Sequence, residues 1–204
     1  MFGITKEQLS QLPTVTFCGR PIMINTMADA KAAITYLNKQ SIVGFDTETR
    51  PSFKKGQPHK VALLQLSTPD ECFLIRLNLL GMFDSLRQFF ENDNILKIGL
   101  SVKDDFHSLA RLGDFNPAGF IELQTFVKDF GIADNSLQKI YAVIFGERIS
   151  KSQRLTNWEA AELTPAQQAY AALDAWACLK IYNHLTAGLF DARKCPFVLP
   201  EVET

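Results

Sequence analysis

The sequence predicts a mixed α/β fold, in which helices pack on a central β-sheet. Short runs rich in branched and aromatic residues, which are typical of strands, alternate with segments whose apolar residues recur at helical spacing. The strand signals come early in the chain, and alternating strands and helices follow, as expected of a mixed sheet. A length of 204 residues, 47% of them hydrophobic, is sufficient for one domain with a sizeable core.

Each predicted element has a local signal. The predicted strands cover residues 22–25, 41–49, 61–67, 72–77, 95–100 and 120–126. The predicted helices cover residues 26–38, 81–91, 102–112, 136–145 and 164–185. The last helix has the clearest start, because Thr164 is a suitable N-cap and Pro165 occupies the first helical position.

The chain divides into three predicted parts. Residues 1–21 are polar, without sustained periodicity, and are expected to form a lead-in. Residues 22–190 are expected to form the single domain, and residues 191–204 a loose tail with two prolines. There is no internal repeat or long linker in the sequence.

Composition excludes several classes of protein. We expect a cytoplasmic protein without a membrane partner, because no signal peptide pattern opens the sequence and no apolar run approaches the ~18 residues of a membrane span. The 4 cysteines stand far apart, without a C-x-x-C pair, and are expected to be free thiols that are mostly buried. A net charge of −1 argues against a protein that holds nucleic acid by bulk charge. The same net charge is compatible with an enzyme that binds phosphate through metal ions.

Two acids end the predicted strand 41–49. Asp46 and Glu48 are two residues apart, so their side chains point to the same face of the sheet. Adjacent carboxylates repel each other unless a cation or protons compensate, and oxygen ligands suit Mg²⁺ or Mn²⁺. The alternative is a solvated acid pair at a strand end.

A second acidic position opens the predicted helix 102–112. Ser101 and Asp104 form an S-x-x-D pattern that is suited to capping the helix. Asp105 then lies in the first helical turn, where the helix dipole favours negative charge. Taken alone, Asp105 is better interpreted as a helix-start acid than as a functional carboxylate.

The longest predicted helix carries the third motif. Tyr170 and Asp174 are four residues apart, which places the phenol and the carboxylate on one face, one turn apart. The surrounding residues are mostly alanine, and a buried carboxylate in such a setting requires a partner, which a metal ion would supply. The alternative is that both residues lie on the solvated side of the helix.

Together, in this order, the three motifs resemble those of the DEDD superfamily of 3′-5′ exonucleases, in its tyrosine branch. The similarity is strongest to exonuclease domains of the Werner-syndrome helicase type, and next to catalytic domains of ribonuclease D. It covers residues 22–190 and includes the stretches DTETRPSFKKGQPHKVALLQLS, KIGLSVKDDFHSLARL and RLTNWEAAELTPAQQAYAALDAWACLKIYNHL. The resemblance implies an RNase H-like fold and metal-dependent hydrolysis of nucleic acid from the 3′ end, releasing nucleoside 5′-monophosphates.

The resemblance also implies roles for individual residues. Tyr170 would orient or deprotonate the attacking water, and Ser101 stands where many relatives carry Asn, so contacts to the terminal sugar are expected to differ. Two divalent ions, Mg²⁺ or Mn²⁺, would be held by Asp46, Glu48, Asp105 and Asp174.

Basic residues flank the motifs. Residues 49–69 contain no acid but several cations, and a second basic group consists of Arg148, Lys151 and Arg154. These groups are expected to follow backbone phosphates, with solvated loop charge as the alternative. Phe106 or His107 is a candidate for stacking on a terminal base, although core packing is the alternative for Phe106. The candidate substrate contacts are Thr47, Ser101, Phe106, His107, Arg50, Lys54, Lys55 and Arg154.

The nature of the substrate is open at this stage. The P-S-F-K-K-G loop after Glu48 favours DNA as the nucleic-acid partner, and RNA trimming of the ribonuclease D kind is the alternative. A non-catalytic nucleic-acid-binding module is a third interpretation, but all four motif acids are present. The oligomeric state is not determined by the sequence.

Overall fold

A mixed six-stranded sheet forms the centre of the computed structural model, which describes residues 1–52 and 59–199. The strands are β1 (Arg20–Ile24), β2 (Ile42–Thr49), β3 (Val61–Ser67), β4 (Glu71–Ile75), β5 (Leu96–Gly99) and β6 (Phe120–Glu122). Their order is β1-β4-β3-β2-β5-β6. The strand β2 lies at the centre, antiparallel to β3 and parallel to β5. The predicted mixed sheet is therefore confirmed.

Helices cover both faces of the sheet. In the described residues they are α1 (Lys6–Ser10), α2 (Met27–Leu37), α3 (Leu77–Leu80), α4 (Asp84–Glu91), α5 (Val102–Leu109), α6 (Leu123–Phe126), α7 (Leu137–Phe145) and α8 (Pro165–Thr186). The apolar faces of α2, α4 and α5 share one core cluster with Phe45 and Leu64, whereas α8 packs against the opposite face with Leu63. Across the described ranges, no helix is both long and apolar enough to cross a membrane.

The helix α8 begins as the sequence predicts. The Thr164 Oγ1 accepts a hydrogen bond from Gln167 N at 3.2 Å, and Thr164 N donates to Gln167 Oε1 at 3.0 Å. This reciprocal capping box provides hydrogen-bond acceptors for two backbone N–H groups at the start of the helix, and Pro165 lies in the first turn. The capped start fixes where along the sheet the later residues of α8 lie.

Gly44 determines how closely α8 approaches the sheet. A Cβ atom at Gly44 would lie 1.9 Å from the carbonyl oxygen of Ala175, so only glycine is compatible with this contact. Gly44 lies two residues before Asp46 on the same face of β2, and Asp174 immediately precedes Ala175. The close approach therefore brings Asp174 against the strand that carries Asp46 and Glu48.

Two of the predicted boundaries that differ from the structure have a clear local cause. The strand expected over residues 120–126 ends at Glu122, because the carboxylate of Glu122 accepts from Gln124 N at 3.0 Å and starts α6 instead. The helix expected over residues 81–91 begins at Asp84. Gly81, with φ 65°, separates it from the short helix α3.

The two ends of the chain also differ from expectation, because both are packed. Ile4 and Leu9 from the expected lead-in are buried in the core cluster that includes α7. The backbone of Phe2 bridges to Ile132 and to Val198, which joins the first residues to the expected tail. Isolated apolar residues in a polar segment leave no periodic signal, but they still cover the core. The division of the chain at residues 22 and 190 stays a prediction.

Candidate active site

Three carboxylates meet in one cleft at the end of β2. Each of Asp46, Glu48 and Asp174 has an oxygen within 4.8 Å of the others. Strand alternation directs the first two to the face that α8 covers, and α8 supplies the third. They line a cleft of about 480 Å³. Three hard oxygen donors at this spacing are compatible with a divalent metal ion.

Asp105 lies in the same cleft but outside that group of three. Its carboxylate accepts a hydrogen bond from the hydroxyl of Thr47, which belongs to β2 and alternates with the two acids of that strand. Its neighbour Asp104 is exposed at the rim. The structure thus fixes Asp105 against the strand that carries the other acids, and its role as a metal ligand stays a prediction.

Burial and mutual repulsion raise the pKa values of these carboxyl groups. Loss of hydration raises the pKa of Glu48 to about 10, with repulsion by Asp46 as the next cause. The same two causes raise the pKa of Asp105 to about 8. Burial raises the pKa of Asp174 to about 7, although its hydrogen bond with Tyr170 acts in the opposite direction. The pKa of Asp46 also lies well above its usual range, because of burial and then of Asp174. A cation is needed to keep all of these groups ionised near neutral pH.

Without metal, the protein is expected to lose stability as the pH rises from about 5 to about 9. Unfolded acids titrate near pH ~4, below the pKa of about 7 for Asp174 and about 8 for Asp105 in the folded protein. The folded state therefore binds more protons in this interval, and the free energy of unfolding falls with pH. Urea unfolding in chelator at a series of pH values measures the effect. A free energy of unfolding that stays level or increases between pH ~5 and ~9 would contradict these shifts.

Tyr170 lines the cleft one helical turn before Asp174. Burial raises the pKa of its phenol well above the usual range, followed by the charges of Asp174 and Glu48. Its ring lies 6.0 Å from that of Trp158, which is fully buried. The hydroxyl is therefore held at the acids by a rigid ring, in its protonated form.

The second basic group divides between two places. Lys151 and Arg154 line the cleft, where Arg154 lowers the pKa of Glu48 and Lys151 lowers that of Asp174. Arg148 instead donates from Nε to the carbonyl oxygen of Leu12 at 3.0 Å. Only two of these three cations therefore face the acids.

The remaining candidate contacts lie away from the acids or outside the described residues. Phe106 packs edge-on against Phe120 with ring centroids 4.7 Å apart, and its stacking on a base stays a prediction. His107 is exposed, with Nδ1 2.7 Å from the Lys103 carbonyl oxygen. Arg50 pairs with Glu159 at 3.2 Å. Lys54 and Lys55 lie outside the described residues.

The predicted cap of α5 by Ser101 and Asp104 is wrong. Ser101 has a left-handed backbone with φ 62°, and its side chain makes no capping hydrogen bond. The carboxylate of Glu122 caps the helix instead, accepting from Ser101 N at 3.0 Å and from Val102 N at 2.9 Å. The hydroxyl of Ser101 accepts from Gln124 Nε2 at 3.1 Å. Glu122 and Gln124 follow Ser101 by about twenty residues, so no local pattern in the sequence indicates them.

Comparison with known proteins assigns this arrangement to a family. A family model described as 3′-5′ exonuclease matches residues 21–189. The bifunctional 3′-5′ exonuclease/ATP-dependent helicase WRN of Mus musculus is 33% identical over 175 residues, which are 80% of this chain and 12% of the mouse protein. Ribonuclease D of Gluconacetobacter diazotrophicus is 25% identical over 173 residues, 83% of this chain and 43% of that enzyme.

Solved structures share the fold. The Nibbler EXO domain of Aedes aegypti has a TM-score of 0.70 at 23% identity, covering 84% of this chain and 91% of that domain. RNase D of Escherichia coli has a TM-score of 0.71 at 24% identity, covering 81% and 44% of the two chains. The RNase H-like fold that the resemblance implies is therefore confirmed.

The chain thus combines an RNase H-like sheet with an acidic cleft at the end of its central strand. The chain belongs to the 3′-5′ exonuclease family, whose model matches most of its length. It spans 12%, 25% and 26% of the first three curated relatives, so it corresponds to a part of those longer proteins.

Proposed function

We propose that this domain is a metal-dependent 3′→5′ exonuclease that removes nucleoside 5′-monophosphates from the end of a nucleic acid, with DNA favoured. The observation that carries the proposal is the meeting of Asp46, Glu48 and Asp174 within 4.8 Å, beside Tyr170, in a chain of this family. Together with Asp105, these acids offer four negative charges, which offset two Mg²⁺ or Mn²⁺ ions. The substrate phosphate then remains as an additional ligand.

The chemistry is hydrolysis of a phosphodiester. Asp46, Glu48, Asp105 and Asp174 would hold the two divalent ions, which would supply an acidified water as nucleophile and charge stabilisation for the departing 3′-oxyanion. Tyr170 directs its hydroxyl at the same site from one helical turn away. Because burial raises its pKa, Tyr170 would keep its proton and act by orienting the attacking water through a hydrogen bond.

The cations on the cleft wall support an anionic substrate. Lys151 and Arg154 are part of the cleft lining and compensate the acids. In the proposed complex they contact backbone phosphates next to the scissile bond, where each contact adds sequence-independent affinity. Arg50, Lys54 and Lys55 would extend this contact along the strand.

RNA is the second candidate substrate. The DNA preference rests on the resemblance to Werner-type domains and on the 33% identity with the mouse WRN protein. The 25% identity with a ribonuclease D supports RNA instead. The related E. coli structure is described as an exoribonuclease involved in structured RNA processing. Direct comparison of matched DNA and RNA decides between the two.

Cleavage is expected to stop in a chelator and to return with Mg²⁺ or Mn²⁺, because carboxylate sites prefer hard ions. The assay uses 5′-labelled single-stranded, blunt and 3′-recessed DNA with matched RNA, and products shorten stepwise from the 3′ end. A circular single strand, which has no 3′ end, is the control and should stay intact. Continued degradation in excess chelator would refute the metal mechanism, and binding without cleavage would favour the non-catalytic module.

A further inference from the structure

A buried amide lies beneath the acidic cleft without a partner. Gln65 on β3 is fully buried, and neither its Nε2 nor its Oε1 has a hydrogen-bond partner among the described residues. Buried polar groups are nearly always hydrogen-bonded, and leaving one unpaired costs about 1–3 kcal/mol. A side chain that is retained at such a cost requires an explanation.

The sheet register places this amide beside the first acid of the site. Gln65 is the direct cross-strand partner of Asp46 in the antiparallel pair of β2 and β3. Directly opposite residues share a face of the sheet, with Cβ atoms about 4.5–5.5 Å apart. Leu63, two residues earlier on the same face, is opposite Glu48 and packs with the alanines of α8. Gln65 therefore stands in the layer between β3 and α8, next to the Asp46 carboxylate.

We propose that Gln65 is a positioning residue for Asp46, an inference that rests on the proposed metal-dependent function. An ionised carboxylate accepts up to about four hydrogen bonds or cations, so a metal ion does not satisfy all of its acceptor positions. Asp46 is half-buried on the face that α8 covers, and Gln65 lies directly opposite it in the sheet with an unpaired Nε2 donor. Donation by the amide fixes the orientation in which Asp46 presents its other oxygen to the ion, as partners of metal ligands generally do.

In the proposed arrangement, the Gln65 amide has the Asp46 carboxylate as its hydrogen-bond partner. This accounts for a buried glutamine beside the apolar cluster that contains Leu63 and the alanines of α8. An apolar residue of the same size would fill the space equally well, but it would leave Asp46 with one fewer donor.

The test measures Mn²⁺ affinity, by calorimetry or by the electron paramagnetic resonance of free Mn²⁺, in Gln65→Met and Gln65→Leu. Both replacements keep about the same volume and remove the amide. The dissociation constant is expected to rise by about 10–100-fold, the usual effect of losing a partner of a metal ligand. Thermal stability in chelator is expected to stay the same or to increase, because an unpaired buried amide is removed.

Leu63→Met is the matched control, since it changes packing on the same strand face without removing a donor. Its Mn²⁺ affinity should equal that of the parent. Parental affinity in both Gln65 variants would overturn the inference and leave the proposed function intact. Loss of stability in chelator by both variants would also overturn it, because the amide would then have a partner without metal. A parent protein that binds no Mn²⁺ would refute the proposed function, and this inference with it.

Discussion

Asp174→Asn is expected to lower the rate of 3′→5′ cleavage by about 10³-fold or more at saturating metal, because one charged ligand is replaced by a neutral amide. A carboxylate oxygen of Asp174 lies within 4.8 Å of oxygens of Asp46 and Glu48, so Asp174 adds to the negative charge around any cation bound there. Single-turnover rates on 5′-labelled DNA and RNA measure the effect. A variant that retains a tenth of the parental rate or more would show that Asp174 is not required to hold the metal.

The same substitution should stabilise the metal-free protein near pH ~8. Asp174 has a pKa of about 7, so it is largely ionised there despite its burial. Asparagine removes that buried charge and its repulsion of Asp46. Asp104→Asn is the matched control, because Asp104 is an exposed acid at the rim of the same cleft. We expect this control to leave the stability of the protein unchanged and to change the cleavage rate by no more than a factor of a few. A large loss of cleavage rate in Asp104→Asn would show that Asp104, and not Asp105, is the functional acid at this position.

Tyr170→Phe is expected to lower the cleavage rate by about 10²–10⁴-fold, the range typical of losing a positioned proton-transfer group. The substitution keeps the ring, and with it the contact to Trp158 at 6.0 Å, but removes the hydroxyl beside Asp174. All four acids remain, so Mn²⁺ affinity and the binding of substrate should change little. The expected signature is therefore a fall in kcat at nearly constant KM.

Tyr182→Phe serves as the control for this variant. Tyr182 lies on the same helix, where its ring packs 4.9 Å from that of Phe126, and it is not part of the cleft lining. Removal of the Tyr182 hydroxyl should leave the cleavage rate unchanged. If Tyr170→Phe cleaves as fast as this control, Tyr170 is a packing residue and the attacking water needs no protein hydroxyl.

Local signals in the sequence were sufficient for the main elements and four of the motif positions. Alternation places Asp46 and Glu48 on one face of a strand, and the i, i+4 spacing places Tyr170 and Asp174 on one face of a helix. The N-cap Thr164 predicts where that helix begins, and the structure confirms it. Each of these features depends on residues that are neighbours in the chain, so a single sequence contains the full signal.

Contacts between distant residues were not predictable in the same way. The cap of α5 comes from Glu122, and Arg148 turns away from the cleft to the carbonyl oxygen of Leu12. The first residues of the chain pack on the core, although no apolar periodicity in the sequence predicts this packing. In each case the partner lies far away in the sequence, and the identity of one residue does not indicate which partner the fold will bring to it.

The sequence by itself determined the sheet class, the long helix and the order of the motif acids. Only the tertiary structure decided that the carboxylates of Asp174 and Asp46 lie close together. Their proximity depends on Gly44, which has no side chain and therefore allows α8 to approach β2. The raised pKa values of the acids likewise follow from burial by α8 and from mutual repulsion. Both are properties of the distances between elements, and a sequence pattern records only the spacing within one element.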